Sequence, residues 1–235
     1  MKLGVVFLLL GSSFLGLALL VPALGGSLLA LLFLWPGAAF LAVAAAYLHL
    51  GPRVLGKRLD GSLSLSRVLL LLPYFVLTWS VWRLLRLGPE RPHALVAPGL
   101  HLGRRAFAHE LPDGIRLVVD LTAEFSRSPE PQGRWEYVCL PTLDAFVPEL
   151  DACVALVERV ARNPGPVYIH CAHGHGRSAM IAAAVMVRRG LAKNADEAQR
   201  ALKQARPGVH LSSSQRGVLE AVCGRFEGAV PGPWE

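Results

Sequence analysis

The chain has 235 residues, 24 Lys/Arg against 17 Asp/Glu, and 53% hydrophobic residues, with a mean hydropathy of +0.42 and a pI near 9.7. That hydropathy is high for a soluble protein, and the excess sits at the N-terminus, where Lys2 is the sole charged side chain before residue 51. The basic balance does not point to nucleic acid: residues 1–91 hold 8 Lys/Arg against 2 Asp/Glu, while residues 92–235 are nearly balanced at 16 against 15 and lack a basic stripe interleaved with aromatics.

Val5–Val21 and Leu28–Leu50 are apolar runs separated by Pro22-Ala23-Leu24-Gly25-Gly26-Ser27. Each approaches the ~20 residues a helix needs to cross a bilayer core. So short a link predicts an all-α transmembrane hairpin over residues 1–50. A cleaved signal peptide with Lys2 as its basic end is the alternative for the first run, and the immediate second run weighs against it.

Residues 51–67 carry Arg53, Lys57, Arg58 and Arg67 opposed by Asp60 alone, which places this loop in the cytoplasm by the positive-inside rule. Leu69–Leu87 is a third apolar stretch, interrupted by Pro73 and bearing Trp79, Trp82, Arg83 and Arg86. Trp and Arg together suit a membrane interface. We therefore expect residues 51–91 to form a basic loop and an interfacial helix, leaving the following domain on the cytoplasmic face. A spanning third helix would put that domain outside, where a reactive thiolate survives less well.

Residues 92–235 alternate short apolar runs with helical patterns, the mark of one α/β domain with a central sheet flanked by helices. Leu117–Leu121 and Val167–His170 read as buried strands. Phe146–Arg162, Arg177–Arg189, Asp196–Ala205 and Gln215–Cys223 read as helices, with Ser212–Ser214 as capping candidates for the last. All four cysteines (Cys139, Cys153, Cys171, Cys223) fall in this part without a Cys-x-x-Cys pair, which argues against zinc and against a dithiol redox site.

The loop His170-Cys171-Ala172-His173-Gly174-His175-Gly176-Arg177-Ser178 joins a predicted strand to a predicted helix. Unpaired N–H groups and the helix dipole make such a junction an anion site, and Gly174 and Gly176 allow the turns that aim those groups inward. Cys171 and Arg177 then place a thiol and a guanidinium on one bound anion. Arg grips two phosphate oxygens and stabilises a phosphoryl group in transit. The same positive surroundings stabilise a thiolate at Cys171, able to attack phosphorus and form a cysteinyl phosphate. Ser178 is placed to hydrogen-bond the sulfur, and His170 to order the loop from the strand end. The leaving alkoxide needs a proton, and Asp144, in Leu140-Pro141-Thr142-Leu143-Asp144, is the best donor; its alternative is a helix N-cap.

The HCxxGxxRS loop, with the upstream Leu-Pro-Thr-Leu-Asp, resembles the dual-specificity branch of the protein tyrosine phosphatase superfamily, over residues 94–225. The LPTLD stretch looks most like the phosphatidylglycerophosphate phosphatases of mitochondria and bacteria. The resemblance implies a cysteinyl-phosphate mechanism with no metal and no cofactor, Cys171 as nucleophile, Arg177 as phosphate clamp, Ser178 as thiolate partner and Asp144 as general acid. It also implies a phosphorylated substrate, lipid or protein. His173 and His175 depart from that lipid phosphatase pattern.

Several readings stay open at this level. A rhodanese-type sulfurtransferase shares the bare Cys-x5-Arg spacing, and a phosphate-binding module would keep the loop without turnover. Asp120 reads as a loop-bracing residue, and Gln215 either positions water or belongs to the first turn of the last helix. His173 and His175 contact substrate or face solvent. Cys139 is either a buried strand residue or a redox partner of Cys171. Oligomeric state has no signal in the sequence.

Overall fold

The computed structural model describes residues 2–21, 27–129 and 134–226. Its contacts divide into two units: Met1–Arg58, Ser62–Pro89 and Ala123–Ser126 in the first, and Leu59–Gly61, Glu90–Thr122 and Arg127–Glu235 in the second.

In the first unit, α1 (Lys2–Leu20) and α2 (Leu31–Ala45) are built largely from Leu, Ala and Val, and α2 runs on through a single π turn, Ala46–Leu50. Glycines let the two approach closely: a Cβ on Gly11 would lie 2.9 Å from Leu41 N, and one on Gly37 3.3 Å from Gly11 O. Apolar helices use small residues at their contacts in this way, because backbone proximity is what dispersion attraction rewards. Phe7 then packs on Phe40, Tyr47 and Tyr74, with centroids 6.1, 5.4 and 5.5 Å away. Away from that contact Leu9, Leu19 and Leu32 are 63%, 78% and 67% exposed. Helices of 19 and 20 residues (Lys2–Leu20 and Leu31–Leu50) are long and apolar enough to cross a membrane. Of the predicted link Pro22–Ser27, all but Ser27 lies outside the described residues.

The third apolar stretch is two helices rather than one. α3 (Leu65–Leu70) ends at Leu71, and α4 (Leu72–Leu85) starts with Pro73 in its first turn. Proline lacks the N–H that would continue α3, and it is best tolerated in the first turn of a helix. Trp35 Nε1–H donates to Leu70 O at 3.0 Å, satisfying a carbonyl where α3 stops. Residues 123–126 complete the unit: Trp79 Nε1–H donates to Glu124 O at 2.9 Å, and the Trp82 and Phe125 rings lie 5.1 Å apart.

The second unit is a five-stranded sheet in the order β1-β2-β5-β3-β4. β1 (His93–Ala97) returns through Pro98-Gly99 into β2 (Leu100–Arg104). Gly99 has φ +65°, the value a type II turn demands after proline. The sequence reading did not anticipate this hairpin. β2, β5 (Val167–Cys171), β3 (Leu117–Thr122) and β4 (Glu136–Thr142) are mutually parallel, so their C-terminal ends meet at one edge.

Alternation sorts the sheet's two faces. Leu117, Val119, Leu121, Ile169 and Cys171 join the main core under the helices, while Val118 and Tyr168 pack on the other side with Ala106 and Ile115. α6 (Arg177–Arg188) is buried from Arg177 to Met186, which explains its run of alanines: a helix enclosed all round leaves no room for larger side chains. α5 spans Leu150–Ala161, shorter than the predicted Phe146–Arg162, because Pro148 disfavours helix at the residue before it. Asp144 is therefore no N-cap. α7 (Ala195–Ala205) is capped by Asn194, and α8 (Ser213–Gly224) by Ser212, whose Oγ accepts from Gln215 N at 3.2 Å.

The register removes one alternative. Cys139 pairs with Asp120, and Asp120 with His170, so Cys139 and His170 stand two strand spacings apart, about 9.6 Å. Cys171, one residue on, points to the opposite face. A disulfide needs Cα atoms within roughly 7 Å, so Cys139 is a buried strand residue and not a redox partner of Cys171.

Two outcomes follow for stability. A Cβ on Gly103 would lie 2.2 Å from Tyr168 Oη and 2.7 Å from Pro92 O, and Tyr168 Oη–H donates to Arg104 O at 2.7 Å. Gly103→Ala should cost about 1–3 kcal/mol by overpacking, seen as a lower melting temperature of the full chain in detergent; an unchanged melt contradicts this packing. His93 and His101 lie 5.6 Å apart, and burial holds both below the usual imidazole range. The unfolded chain therefore binds more protons than the folded one below about pH 6.5, so stability falls as pH falls through that window. The melting temperature should drop from pH 7.5 to 5.5, and drop less in His101→Leu.

Candidate active site

Cys171 closes β5 at the edge where the parallel strands end, and Arg177 opens α6. Between them the loop turns tightly enough that Gly174 N–H donates to Cys171 Sγ at 3.2 Å, and Ser178 Oγ–H donates to the same sulfur at 3.3 Å. Both donors converge on one buried sulfur. Gly174 has φ +80°, and a Cβ there would meet Gly103 C at 2.4 Å, so no other residue fits. Gly176 stands at the N-cap position without a side-chain cap, leaving the first amides of α6 for an anion.

Arg177 is 1% exposed. Its Nη1 donates to Thr142 O at 2.7 Å and Leu121 O at 3.4 Å, carbonyls at the ends of β4 and β3. Nη2 lies 3.1 Å from Asp144 Oδ1. These contacts bring the expected acid and the expected clamp together. Asp144 sits on a half-exposed turn closed by Phe146 N–H to Leu143 O at 3.1 Å, with Ala145 at φ +60°, a left-handed conformation that costs a non-glycine residue energy and marks a built loop.

His170 reaches Cys171 O with Nδ1 at 3.4 Å and lies 3.9 Å from Asp120 Oδ1. Asp120 accepts from Thr122 N, Thr122 Oγ1 and Tyr137 Oη at 2.8, 2.7 and 2.6 Å. It braces the strand ends beneath the loop, in agreement with its reading as a bracing residue. The two loop histidines are held from outside. His175 Nε2 lies 2.8 and 2.9 Å from the two Glu90 carboxylate oxygens, and His173 O accepts from Arg206 Nη2 at 2.9 Å. Gln215 completes a capping box, Ser212 N–H donating to its Oε1 at 3.1 Å. It also lies against the loop, since a Cβ on Gly176 would be 3.0 Å from that same oxygen.

Sequence reasoning missed Glu90, Arg206 and Arg105, whose N–H donates to Ala172 O at 3.3 Å. None belongs to a local motif, and only the fold carries them to the loop. A cavity of about 520 Å³, lined by Arg188, Lys193, Asp196, Glu220 and Cys223 among others, shares no residue with the loop. Chemistry follows the donors around Cys171, not cavity size.

The family of dual specificity phosphatase catalytic domains matches residues 108–222. Human dual specificity protein phosphatase 16 is 32% identical over 133 residues, which cover 52% of this chain and 19% of that protein, so the chain spans about a fifth of that relative. PTPMT1, crystallised in complex with PI(5)P, superposes with a TM-score of 0.52 at 21% identity over 58% of this chain and 97% of its own. The human tyrosine phosphatase-like serine/threonine/tyrosine-interacting protein gives 0.52 at 20% identity over 59% and 99%. At such identities the two structures show a shared fold. Residues 108–222 thus carry the match to the dual specificity phosphatase catalytic domain, a domain of phosphoric monoester hydrolases.

Proposed function

We propose that this chain is a membrane-anchored, cysteine-dependent phosphomonoesterase acting on a phospholipid headgroup, such as phosphatidylglycerophosphate or a phosphoinositide. The observation that carries the chemistry is the sulfur of Cys171, with Gly174 N–H and Ser178 Oγ–H at 3.2 and 3.3 Å. Cys171 Sγ attacks phosphorus while the ester P–O bond breaks and Asp144 protonates the leaving oxygen. Arg177 and the loop amides hold the equatorial oxygens, with the substrate phosphoryl taking the guanidinium face that Asp144 now shares. Water then attacks phosphorus, giving its proton to Asp144, and the thiolate leaves toward Ser178.

The anchor is residues 1–50 as a transmembrane hairpin, followed by residues 51–91 as a basic loop and interfacial helix, and 92–235 as the catalytic domain. Supporting the interfacial reading, the 14 residues of α4 reach only about 21 Å, short of the ~30 Å hydrocarbon core. The basic loop then stays cytoplasmic, and the catalytic domain with it. Confinement at the bilayer raises the effective concentration of lipid substrate without any new contact. The complex of PTPMT1 with PI(5)P supports a lipid substrate by analogy of fold. A membrane-anchored protein phosphatase is the second reading, favoured by the 32% identity to a protein phosphatase.

In lipid vesicles with EDTA, the full-length protein should release phosphate from phosphatidylglycerophosphate or a phosphoinositide faster than from a phosphotyrosine peptide, and Cys171→Ser should abolish release. Preference for the peptide selects the second reading; no Cys171-dependent release from any substrate contradicts both. Asp144→Asn should lower kcat by ~10²–10⁴-fold, the usual worth of general acid catalysis, and least for an activated aryl phosphate whose leaving group needs no proton.

A further inference from the structure

The phosphate loop has carbonyls as well as amides, and every carbonyl turned inward would repel the anion that the amides attract. In a trans peptide the C=O and the following N–H point in opposite directions. Whatever holds a loop carbonyl outward therefore aims the next N–H inward. Three peptide units are held this way. Ala172 O accepts from Arg105 N at 3.3 Å, and His175 O accepts from His210 N at 3.1 Å. The middle unit, His173–Gly174, is held by a side chain: His173 O accepts from Arg206 Nη2 at 2.9 Å, and the N–H of that same unit donates to Cys171 Sγ at 3.2 Å.

Arg206 is built for that task. It lies just beyond the end of α7 and is 2% exposed. Its Nη1 donates to Arg91 O at 2.9 Å, and Nη2 lies 3.3 Å from Glu90 Oε1. Glu90 in turn holds the His175 ring. Burial works against its charge, so the fold retains the guanidinium at a cost that three acceptors offset. Its planar fork spans two carbonyls and a carboxylate, which a single ammonium cannot do.

We propose that Arg206 is a positioning residue for the phosphatase reaction: by fixing the His173–Gly174 peptide plane it aims the Gly174 N–H at the nucleophilic sulfur and so sustains the reactive form of Cys171. The inference rests on Cys171 being the nucleophile, and it extends that reading to a residue that touches neither substrate nor sulfur.

The test is the pH profile of Cys171 alkylation by iodoacetamide, resolved by peptide mass spectrometry on the full-length protein in detergent, for wild type, Arg206→Met, Arg206→Lys and Arg189→Met. Arg189 is the control, a half-buried guanidinium likewise on backbone carbonyls (Val160 O at 2.8 Å, Asn163 O at 3.2 Å) at the far end of α6. Cys153 does not interfere, since burial pushes its thiol up to about 11. We expect alkylation of Cys171 at pH 6.5 to fall about tenfold in Arg206→Met, its profile displaced upward by about one unit, and by less in Arg206→Lys. Arg189→Met should melt lower yet keep the wild-type profile.

A wild-type profile in either cooperatively melting Arg206 variant overturns the proposal, as does an equal displacement in Arg189→Met. Should Arg206→Met not fold, Arg206→Lys decides alone. A wild-type Cys171 that resists alkylation across the range sinks the nucleophile reading itself, a result distinct from either.

Discussion

A phosphate-binding loop concentrates inward-pointing N–H groups around one anion, and a backbone left to itself does not do this. Water or a helical ladder would claim those donors. The second unit resolves the conflict by placing the loop between a strand and a helix that are both buried, β5 and α6, so that neither end can relax. Arg177 shows how closely the demands interlock: the guanidinium expected to clamp phosphate also bonds the carbonyls ending β3 and β4. The expected clamp is also a structural tie between α6 and two strands. Loss of Arg177 would disturb the sheet edge as well as the substrate.

The parallel order β2-β5-β3-β4 does the rest. Parallel strands bring their C-terminal ends to one edge, the usual place for a site in an open α/β sheet. Cys171 from β5, Asp144 from beyond β4 and the β3 carbonyl at Leu121 thereby converge, although Asp144 and Cys171 are far apart in the chain. Gly103 and Gly174 meet there with no space for a Cβ on the latter, so the end of β2 forms the wall of the phosphate loop.

Much of this is legible in the sequence, because the chemistry is local. Cys171, Gly174, Gly176, Arg177 and Ser178 fall within eight positions, and a strand-loop-helix junction with glycines has one obvious use. Strand β5, helix α6 and the two apolar N-terminal helices follow from apolar runs. What stayed hidden is non-local. The β1–β2 hairpin is short and half polar, with His93 and His101 where a strand pattern expects apolar residues. Arg206 looks like any surface arginine beside a proline until the fold buries it. Pro148 and Pro73 moved helix boundaries by a few residues, the kind of error that periodicity makes when a backbone constraint overrides it.

The proposed mechanism depends above all on a covalent bond between Cys171 and phosphorus. The most direct measurement is rapid acid quench of the full-length protein during turnover of a phosphorus-labelled substrate, followed by peptide mapping of the label. We predict label on the Cys171 peptide, lost on iodine treatment as a phosphorothiolate ester should be. Turnover with label on another residue, or with no labelled intermediate under conditions where hydrolysis of the intermediate limits the rate, would contradict the mechanism.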